Sequence, residues 1–428
     1  MGLITLPTNT DSHKPAHDAS HLPLAGVVVI DLSRYIAGPY CSMLMADAGA
    51  TVIKVEPPHG EDTRSLEPYI QDRNGSQVSA YYLRMNRNKR SVTLDLKSEA
   101  GKLALADLIS KADVLLENYR PGVLARFGFD EERLGELNAG LVYCTITGFG
   151  HTKTPMRDRP AYNVVAEYEA GVYFQSNADV APAPIGPPVG DLFPALHALS
   201  GLLMALYRKT VTGQGGRVDI AMFDSMLSLN EIRSSYAKLY GRDWDPAAHP
   251  FYSPYGVFPV QDGHICIDVT TDPQWRGFCL AIDRPDLYEL DGMATGPERV
   301  ARFESHIREP LDAWLASQDR DSAVAALTKH HVPAAAIRHP GEALESDQSQ
   351  ARRMEVTVRS AGGAEVTTVG TPIKVGEWQK QPVDARGADL GADTESVMRD
   401  IAGWDDAAID RLLGRVLTAS ASPSEGAH

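Results

Sequence analysis

The feature that most constrains the fold is an alternation of short apolar runs with helical patterns in the first third of the chain. The runs are continuous and rich in β-branched residues, which is typical of strands buried on both faces of a sheet. The predicted strands are 26–31, 51–56, 91–96, 113–118 and 141–147, and the helical segments between them include 40–50 and 98–111. Strands that alternate with helices in this way predict a mainly parallel sheet with right-handed crossovers.

The pattern changes near residue 255. A hairpin is predicted around Asp262-Gly263, short helices follow to about residue 329, and 332–337 looks like a returning strand. A chain of 428 residues is also longer than a typical single domain. We therefore predict an α/β fold in which a Rossmann-like large domain, residues 22–225 with a return segment 335–428, is interrupted by a smaller α+β domain, 226–334. Residues 1–21 lack the apolar core of a signal peptide and are predicted to be a disordered leader.

Charge and cysteine content limit the partners and the compartment. The chain has 41 Lys and Arg against 56 Asp and Glu, a formal charge of −15, which repels nucleic acid and anionic lipid. Its four cysteines are scattered without a CxxC pair, which favours a reducing, cytoplasmic location. Apolar stretches such as 199–207 are shorter than the roughly 20 residues that span a bilayer. We expect neither a nucleic-acid nor a membrane partner.

The sequence lacks the motifs of several common nucleotide-binding, metal-binding and hydrolase sites. The turn after the first strand, Asp31–Gly38, has no GxGxxG, so it lacks the bare backbone that approaches a dinucleotide pyrophosphate. No P-loop, HExxH or GxSxG motif occurs. His330-His331 has no third ligand at metal spacing, so no metal is predicted.

Two basic segments and one aspartate could carry chemistry. Segment 84–90 has four basic residues and no acid, and a solvated turn is favoured over a phosphate site there. Segment 118–126 follows the carboxyl end of a predicted strand, where open α/β sheets bind ligands, so both interpretations stay open. Asp191 opens a long apolar helix, 192–209. It could be the helix N-cap, the favoured interpretation from sequence alone, or an oriented carboxylate available for chemistry.

Five ordered blocks between about residues 22 and 400 together resemble one family. The blocks are Gly38-Pro39 with 47–58, 86–91, 116–122, 212–215 and 253–258. They are similar to the class III CoA-transferases, the CaiB/BaiF or formyl-CoA transferase-like family. The resemblance implies an interlocked homodimer, coenzyme A bound at the strand ends as acyl-CoA substrate, and Asp191 as nucleophile. It also assigns CoA contacts to Lys97, Asn118, Tyr119, Arg120 and Arg126, with Arg90 as a phosphate contact.

The activity implied by the resemblance is transfer of CoA from an acyl-CoA to a carboxylic acid, with succinyl-CoA a candidate donor and a small dicarboxylate a candidate acceptor. Asp191 would form an aspartyl anhydride and then an aspartyl-CoA thioester, with oxyanions stabilised by nearby backbone N–H groups. Two alternatives are a 2-methylacyl-CoA racemase or isomerase and a non-catalytic CoA-binding protein.

Departures from the family pattern bear on these alternatives. Segment 161–163 lacks the histidine of the racemases, which disfavours racemisation. Asn163 stands where many transferases have Asp, and Glu167-Tyr-Glu-Ala170 replaces a small, polar block. Ile36 stands where formyl-CoA and oxalate enzymes have Gln, which disfavours that specificity.

Overall fold

The computed structural model describes residues 22–174, 180–241, 251–376 and 384–414. The predicted leader 1–21 and the end of the return segment lie outside these residues. The chain divides into two compact units: unit 1 is formed by Met1–Asn230 and Ala351–His428, and unit 2 by Glu231–Gln350.

The secondary structure follows the predicted alternation. The strands are β1 (Val28–Asp31), β2 (Thr51–Glu56), β3 (Tyr69–Gln71), β4 (Gln77–Ser79), β5 (Arg90–Thr93), β6 (Val114–Glu117), β7 (Val142–Thr147), β8 (Gly216–Ala221), β9 (Tyr255–Val260), β10 (Gly263–Asp268), β11 (Ala334–Ala336), β12 (Glu355–Arg359), β13 (Glu365–Val369) and β14 (Asp384–Arg386). The helices are α1 (Ala37–Asp47), α2 (Ala80–Met85), α3 (Glu99–Lys111), α4 (Val123–Arg126), α5 (Glu131–Leu137), α6 (Asn163–Glu169), α7 (Val189–Thr212), α8 (Met222–Leu229), α9 (Glu231–Tyr240), α10 (Asp272–Ala281), α11 (Asp286–Glu289), α12 (Gly296–Ala301), α13 (Arg308–Leu315), α14 (Arg320–Lys329), α15 (Pro340–Glu345), α16 (Asp347–Ala351), α17 (Thr394–Asp400) and α18 (Asp406–Leu412).

Unit 1 is built on a six-stranded sheet with the order β5-β2-β1-β6-β7-β8. Every neighbouring pair in it is parallel. Numbered along the chain, these strands have the spatial order 3-2-1-4-5-6, which is that of the Rossmann fold. The order reverses between β1 and β6, so a crevice forms at their carboxyl ends. The α/β fold class predicted from the sequence is confirmed.

Helices cover both faces of this sheet because its strands are apolar on both sides. On one face α1, α6, α7 and α8 close a core around Val29, Val114 and Cys144. On the other face α3, α5, α17 and α18 pack around Ile30, Leu115 and their neighbours. The return segment therefore completes the core of unit 1 and adds a small sheet with the order β13-β12-β14.

Unit 2 has a three-stranded antiparallel sheet, β11-β10-β9, with helices α10 to α14 around one core. Trp275, Phe278 and Ile265 are fully buried in that core. Capping boxes at Thr271 and Thr295 begin α10 and α12.

The unit boundaries differ from the predicted ones. Segment 332–337 was predicted to return to the large domain, but β11 pairs with β10, so unit 2 extends to residue 350 instead of 334. The first boundary lies after Asn230 rather than after residue 225, because α8 ends at Leu229 in unit 1 and α9 begins at Glu231 in unit 2. Apolar periodicity continues through this break, which explains the difference.

The helix α7 is long and apolar enough to cross a membrane by length and composition alone, which corrects the expectation that no such segment exists. The cores of globular proteins contain helices that meet the same criterion. In unit 1, α7 packs against α1, α6, α8, β7 and β8, and its Ala195, Ala198 and Leu202 are fully buried.

Candidate active site

The crevice between β1 and β6 is closed at its base by one asparagine. The Asn118 Oδ1 accepts the Arg34 backbone N–H at 2.8 Å, and the Asn118 Nδ2 donates to the Arg34 carbonyl at 2.8 Å. This reciprocal pair joins the loop after β1 to the loop after β6 at the switch point of the sheet. The ligand-binding position that the strand order predicts is therefore a preformed feature of unit 1.

Arg34 and Tyr119 follow β1 and β6 at the carboxyl ends of these strands, beside this crevice. The Arg34 guanidinium lies over the Tyr119 ring, 5.5 Å from its centroid, and its side chain, which is 40% exposed, lies 3.8 Å from the Asp62 carboxylate. Lys97, Arg120 and Arg126 are exposed on the loops or short helix that follow β5 and β6. Arg34, Arg120 and the Tyr119 ring, which follow β1 and β6, suit a ligand with phosphates and a planar base, whereas Lys97 follows β5, which β2 and β1 separate from β6.

A close approach of α1 shapes the loop after β1. A Cβ on Gly38 would lie 2.2 Å from the Cβ of Ser33, so only glycine allows α1 to begin beside this loop. Tyr35, between them, has a positive φ of 63°, which is uncommon for a non-glycine residue. Its ring packs edge-on against Tyr162 at the start of α6, with centroids 5.9 Å apart.

The basic segment 84–90 is partly internal, because Arg87 and Lys89 are buried while Arg84 and Arg90 are half-buried. Arg87 is buried in an ion pair with Asp47, and Lys89 is buried against Asp31. Burial tends to raise the pKa of Asp31, but Lys89 and Lys54 outweigh it and hold that pKa below its ordinary range. Acids of the fold therefore neutralise Arg87 and Lys89, so these two cations are available neither to a solvated turn nor to a phosphate.

Arg90 also lies beside acidic residues of unit 1. It begins the edge strand β5, and its guanidinium donates to Ser396 and contacts Asp393 and Asp400 on or beside α17. The structure does not bring it together with Asn118, Tyr119 and Arg120, because β2 and β1 lie between β5 and β6.

Asp191 lies in the first turn of α7, but it is not the N-cap. The N-cap is Pro188, which has no capping side chain, so the favoured sequence interpretation is wrong. Among the residues that the structure describes, the Asp191 carboxyl has no ion-pair partner, and it is mostly buried. Burial, together with the charge of Glu167, raises its pKa from 3.8 to about 7. A carboxyl that titrates near neutrality in a partly accessible position is a candidate nucleophile or base.

Two side chains of α6 occupy the backbone donors beside Asp191. The Gly190 N–H donates to the Glu167 Oε1 at 3.1 Å, and the Asp191 N–H donates to the Asn163 Oδ1 at 3.1 Å. These are the N–H groups expected to stabilise oxyanions. Since each already has an acceptor, that expectation is not supported for these two groups.

Comparison with known proteins decides the family. The model of CoA-transferase family III matches residues 24–394. The chain is 37% identical over 364 residues to a succinyl-CoA:mesaconate CoA-transferase of Haloarcula hispanica, covering 83% of this chain and 90% of the relative. It is 33% identical over 359 residues to a succinate–glutarate CoA-transferase of Agrobacterium fabrum, covering 82% and 89%. A crystal structure of a CaiB/BaiF family protein from Brucella suis superimposes with a TM-score of 0.77 at 30% identity, over 89% of this chain and 99% of that one.

The chain belongs to CoA-transferase family III. The family resemblance stated from the sequence is thus confirmed, and the chain is an enzyme of the CoA-transferase class. In this family III chain, the switch point of the sheet is occupied by Asn118 and Tyr119, and Asp191 lies at the start of α7.

Sequence reasoning did not assign a role to Arg34, Tyr81 or Glu167. Arg34 lies in the loop that follows β1, and a basic residue in that loop is a sequence signal for a ligand at the switch point of the sheet. Burial raises the pKa of Tyr81 on α2, and the nearby Asp191 carboxylate adds to the rise. That proximity is a long-range contact that spacing along the chain does not reveal, and the same is true of Glu167.

Proposed function

We propose that this chain transfers CoA from succinyl-CoA to a small dicarboxylic acid, with Asp191 as the nucleophile. The observation that carries the proposal is the mostly buried Asp191 carboxyl at the start of α7, whose pKa of about 7 suits a group that ionises and reacts near neutral pH. The names of the two relatives, which pair succinyl-CoA or succinate with mesaconate or glutarate, support a dicarboxylate acceptor.

The reaction needs four acyl transfers. The Asp191 carboxylate attacks the thioester carbonyl of succinyl-CoA, and CoA thiolate leaves as a succinyl–aspartyl anhydride forms. The thiolate attacks the Asp191 carbonyl of that anhydride, which releases succinate and leaves an aspartyl-CoA thioester. The acceptor carboxylate then attacks this thioester and expels the thiolate, and the thiolate attacks the acceptor carbonyl. The new acyl-CoA departs and the Asp191 carboxylate is regenerated, so no ATP is consumed.

The CoA moiety would bind in the crevice between β1 and β6. Tyr119 and Arg34 offer flat faces for the adenine, and Asn118 fixes the two loops. Exposed Lys97, Arg120 and Arg126 would neutralise phosphates. The chain's overall charge of −15 makes such a local cationic surface necessary.

We also propose that two copies associate through α7. One stripe of this helix is apolar and exposed: Met204, Tyr207 and Val211 are each more than 70% accessible, and Leu196 and Leu203 continue the stripe. A contiguous apolar stripe of this kind on a folded chain marks an association surface. A second copy of the chain, forming the homodimer expected from the resemblance, is the proposed occupant.

We also propose a cytoplasmic location. All four cysteines are free thiols, which supports this location.

The test is isotope exchange with a panel of acids. The enzyme is incubated with succinyl-CoA and a ¹³C-labelled acid, and the acyl-CoA products are identified by mass spectrometry. Labelled succinate, glutarate and mesaconate should enter the CoA thioester pool, and monocarboxylates of equal length should enter much more slowly. Asp191→Ala should bind CoA and lose exchange by at least about 10³-fold, the scale expected for loss of a covalent nucleophile. Retained exchange in this variant would remove Asp191 from the mechanism.

A further inference from the structure

The start of α7 is fastened by two side chains that lie one turn apart on α6. Asn163 and Glu167 are four residues apart, so they share one face of that helix. They accept the N–H groups of Asp191 and Gly190, respectively. The contact is close: a Cβ on Gly190 would lie 2.4 Å from the Asn163 carbonyl oxygen, so glycine is required there.

The hydrogen bond from the Gly190 N–H requires an acceptor oxygen on residue 167 but does not require a carboxylate. Its side chain is fully buried, its Oε1 accepts the Gly190 N–H, and among the described residues its Oε2 has no hydrogen-bond partner. A glutamine would supply the same acceptor without placing a carboxylate in a buried site, where an unpaired charge is costly. Packing and hydrogen bonding therefore leave the acidity of Glu167 unexplained.

The charge of Glu167 acts on Asp191. Burial is the larger cause of the raised pKa of Asp191, and the repulsion by Glu167 adds to it. Tyr81 of α2, with the Arg84 guanidinium 4.5 Å from its ring centroid, is a further ionisable side chain near Asp191, whose charge contributes to the raised pKa of Tyr81. Titratable groups on the other elements packed against α7 make no resolved contribution to that pKa within the described chain: Tyr40, Cys41 and Asp47 on α1, Tyr143 and Cys144 on β7, Arg217 and Asp219 on β8, and Asp224 on α8.

We propose that Glu167 is a positioning residue for the nucleophile, whose Oε1 fixes the first turn of α7 and whose negative charge makes the Asp191 carboxylate more reactive toward the thioester. A carboxylate held beside a like charge is less stable as an anion, and a more basic nucleophile attacks a carbonyl faster. The inference rests on the proposed function, because it assigns a role only if Asp191 is the attacking group.

The isosteric variant Glu167→Gln separates the two effects, since glutamine keeps the acceptor and removes the charge. The readout is the pH profile of kcat/KM between pH 5.5 and 9 for exchange of ¹³C-succinate into succinyl-CoA. The acid limb, set by ionisation of Asp191, should move to lower pH. The variant should be faster than wild type at the acid end, by up to about threefold for half a pKa unit, and slower above pH 8. A profile with an unmoved limb would overturn the proposal and leave Glu167 a purely structural acceptor.

Two further variants sharpen the test. Glu169→Gln removes the same charge from the same helix, but Glu169 pairs with Arg159 at 2.9 Å on the surface, so its profile should match wild type. The double variant Asn163→Asp with Glu167→Gln moves the charge by one helical turn while keeping both acceptors, and it should return the limb toward its wild-type position. A limb that stays at the single-variant position would contradict a charge effect.

The Asp191→Ala protein is measured alongside. If it retains exchange, the proposed function fails and this inference fails with it. If it loses exchange while Glu167→Gln leaves the limb unmoved, only the role of Glu167 is overturned.

Discussion

Replacing Asp191 should stabilise the protein at alkaline pH. Burial and Glu167 raise the pKa of Asp191 from its ordinary value of 3.8 to about 7 in the folded chain. Between those values the folded state binds a proton that the unfolded state has released, so stability falls as pH rises from about 4 to about 7. At about 1.4 kcal/mol per pKa unit, the full loss above pH 7 is about 4 kcal/mol. Asp191→Asn has no proton to release, so it escapes this loss.

The assay is urea unfolding of ligand-free wild type and Asp191→Asn at one protein concentration, followed by far-ultraviolet circular dichroism at pH 5 and pH 8. The free energy of unfolding of the variant, minus that of wild type, should increase by about 2–3 kcal/mol between the two pH values. Asp158→Asn serves as control, because the Asp158 side chain is 81% exposed and its removal should give a pH-independent difference. An Asp191→Asn difference equally independent of pH would refute the argument that the folded chain destabilises this carboxylate.

Three further results are expected. Arg126→Ala should weaken CoA binding in isothermal titration calorimetry by about 10-fold or more, the scale expected for loss of a charge-assisted hydrogen bond. An unchanged Kd would reject the phosphate contact. The control is Arg133→Ala, because Arg133 lies on the surface beside Glu136. Lys89→Met should lower the free energy of unfolding by about 3–5 kcal/mol because it removes the ion-pair partner of the buried Asp31 carboxylate. Asp31→Asn in the same chain should restore part of the loss, and an additive double variant would contradict the pairing. Tyr207→Glu should shift sedimentation toward the monomer, and a sedimentation coefficient equal to that of wild type would exclude the α7 stripe from the interface.

The fold of unit 1 could be predicted from the sequence because its strands are short, continuous and apolar on both faces. Each predicted strand from 26–31 to 141–147 overlaps a strand of the parallel sheet. Apolar periodicity does not specify which sheet a short strand joins, however. The predicted return segment, which begins at residue 335, therefore includes Ala335 and Ala336 of β11, because only the pairing of β11 with β10 identifies its sheet.

The candidate site was predictable only in part, for a related reason. Asn118 and Asp191 came from motifs that are local in the sequence. The neutralisation of Lys89 and Arg90 depends on Asp31, Asp393 and Asp400, which are distant in the chain or on the return segment. The sequence shows four basic residues in the seven-residue segment 84–90. Only the tertiary structure shows that Arg87, Lys89 and Arg90 already pair with acids.

The most direct measurement of the central claim is to find the covalent intermediate. Wild-type enzyme is mixed with succinyl-CoA without acceptor, quenched in acid, digested and analysed by mass spectrometry, with a parallel sample treated with hydroxylamine. The account predicts a CoA thioester on the peptide that contains Asp191, and its conversion to a hydroxamate at the same residue. A CoA adduct on another side chain, or rapid exchange with no adduct on any peptide, would contradict it.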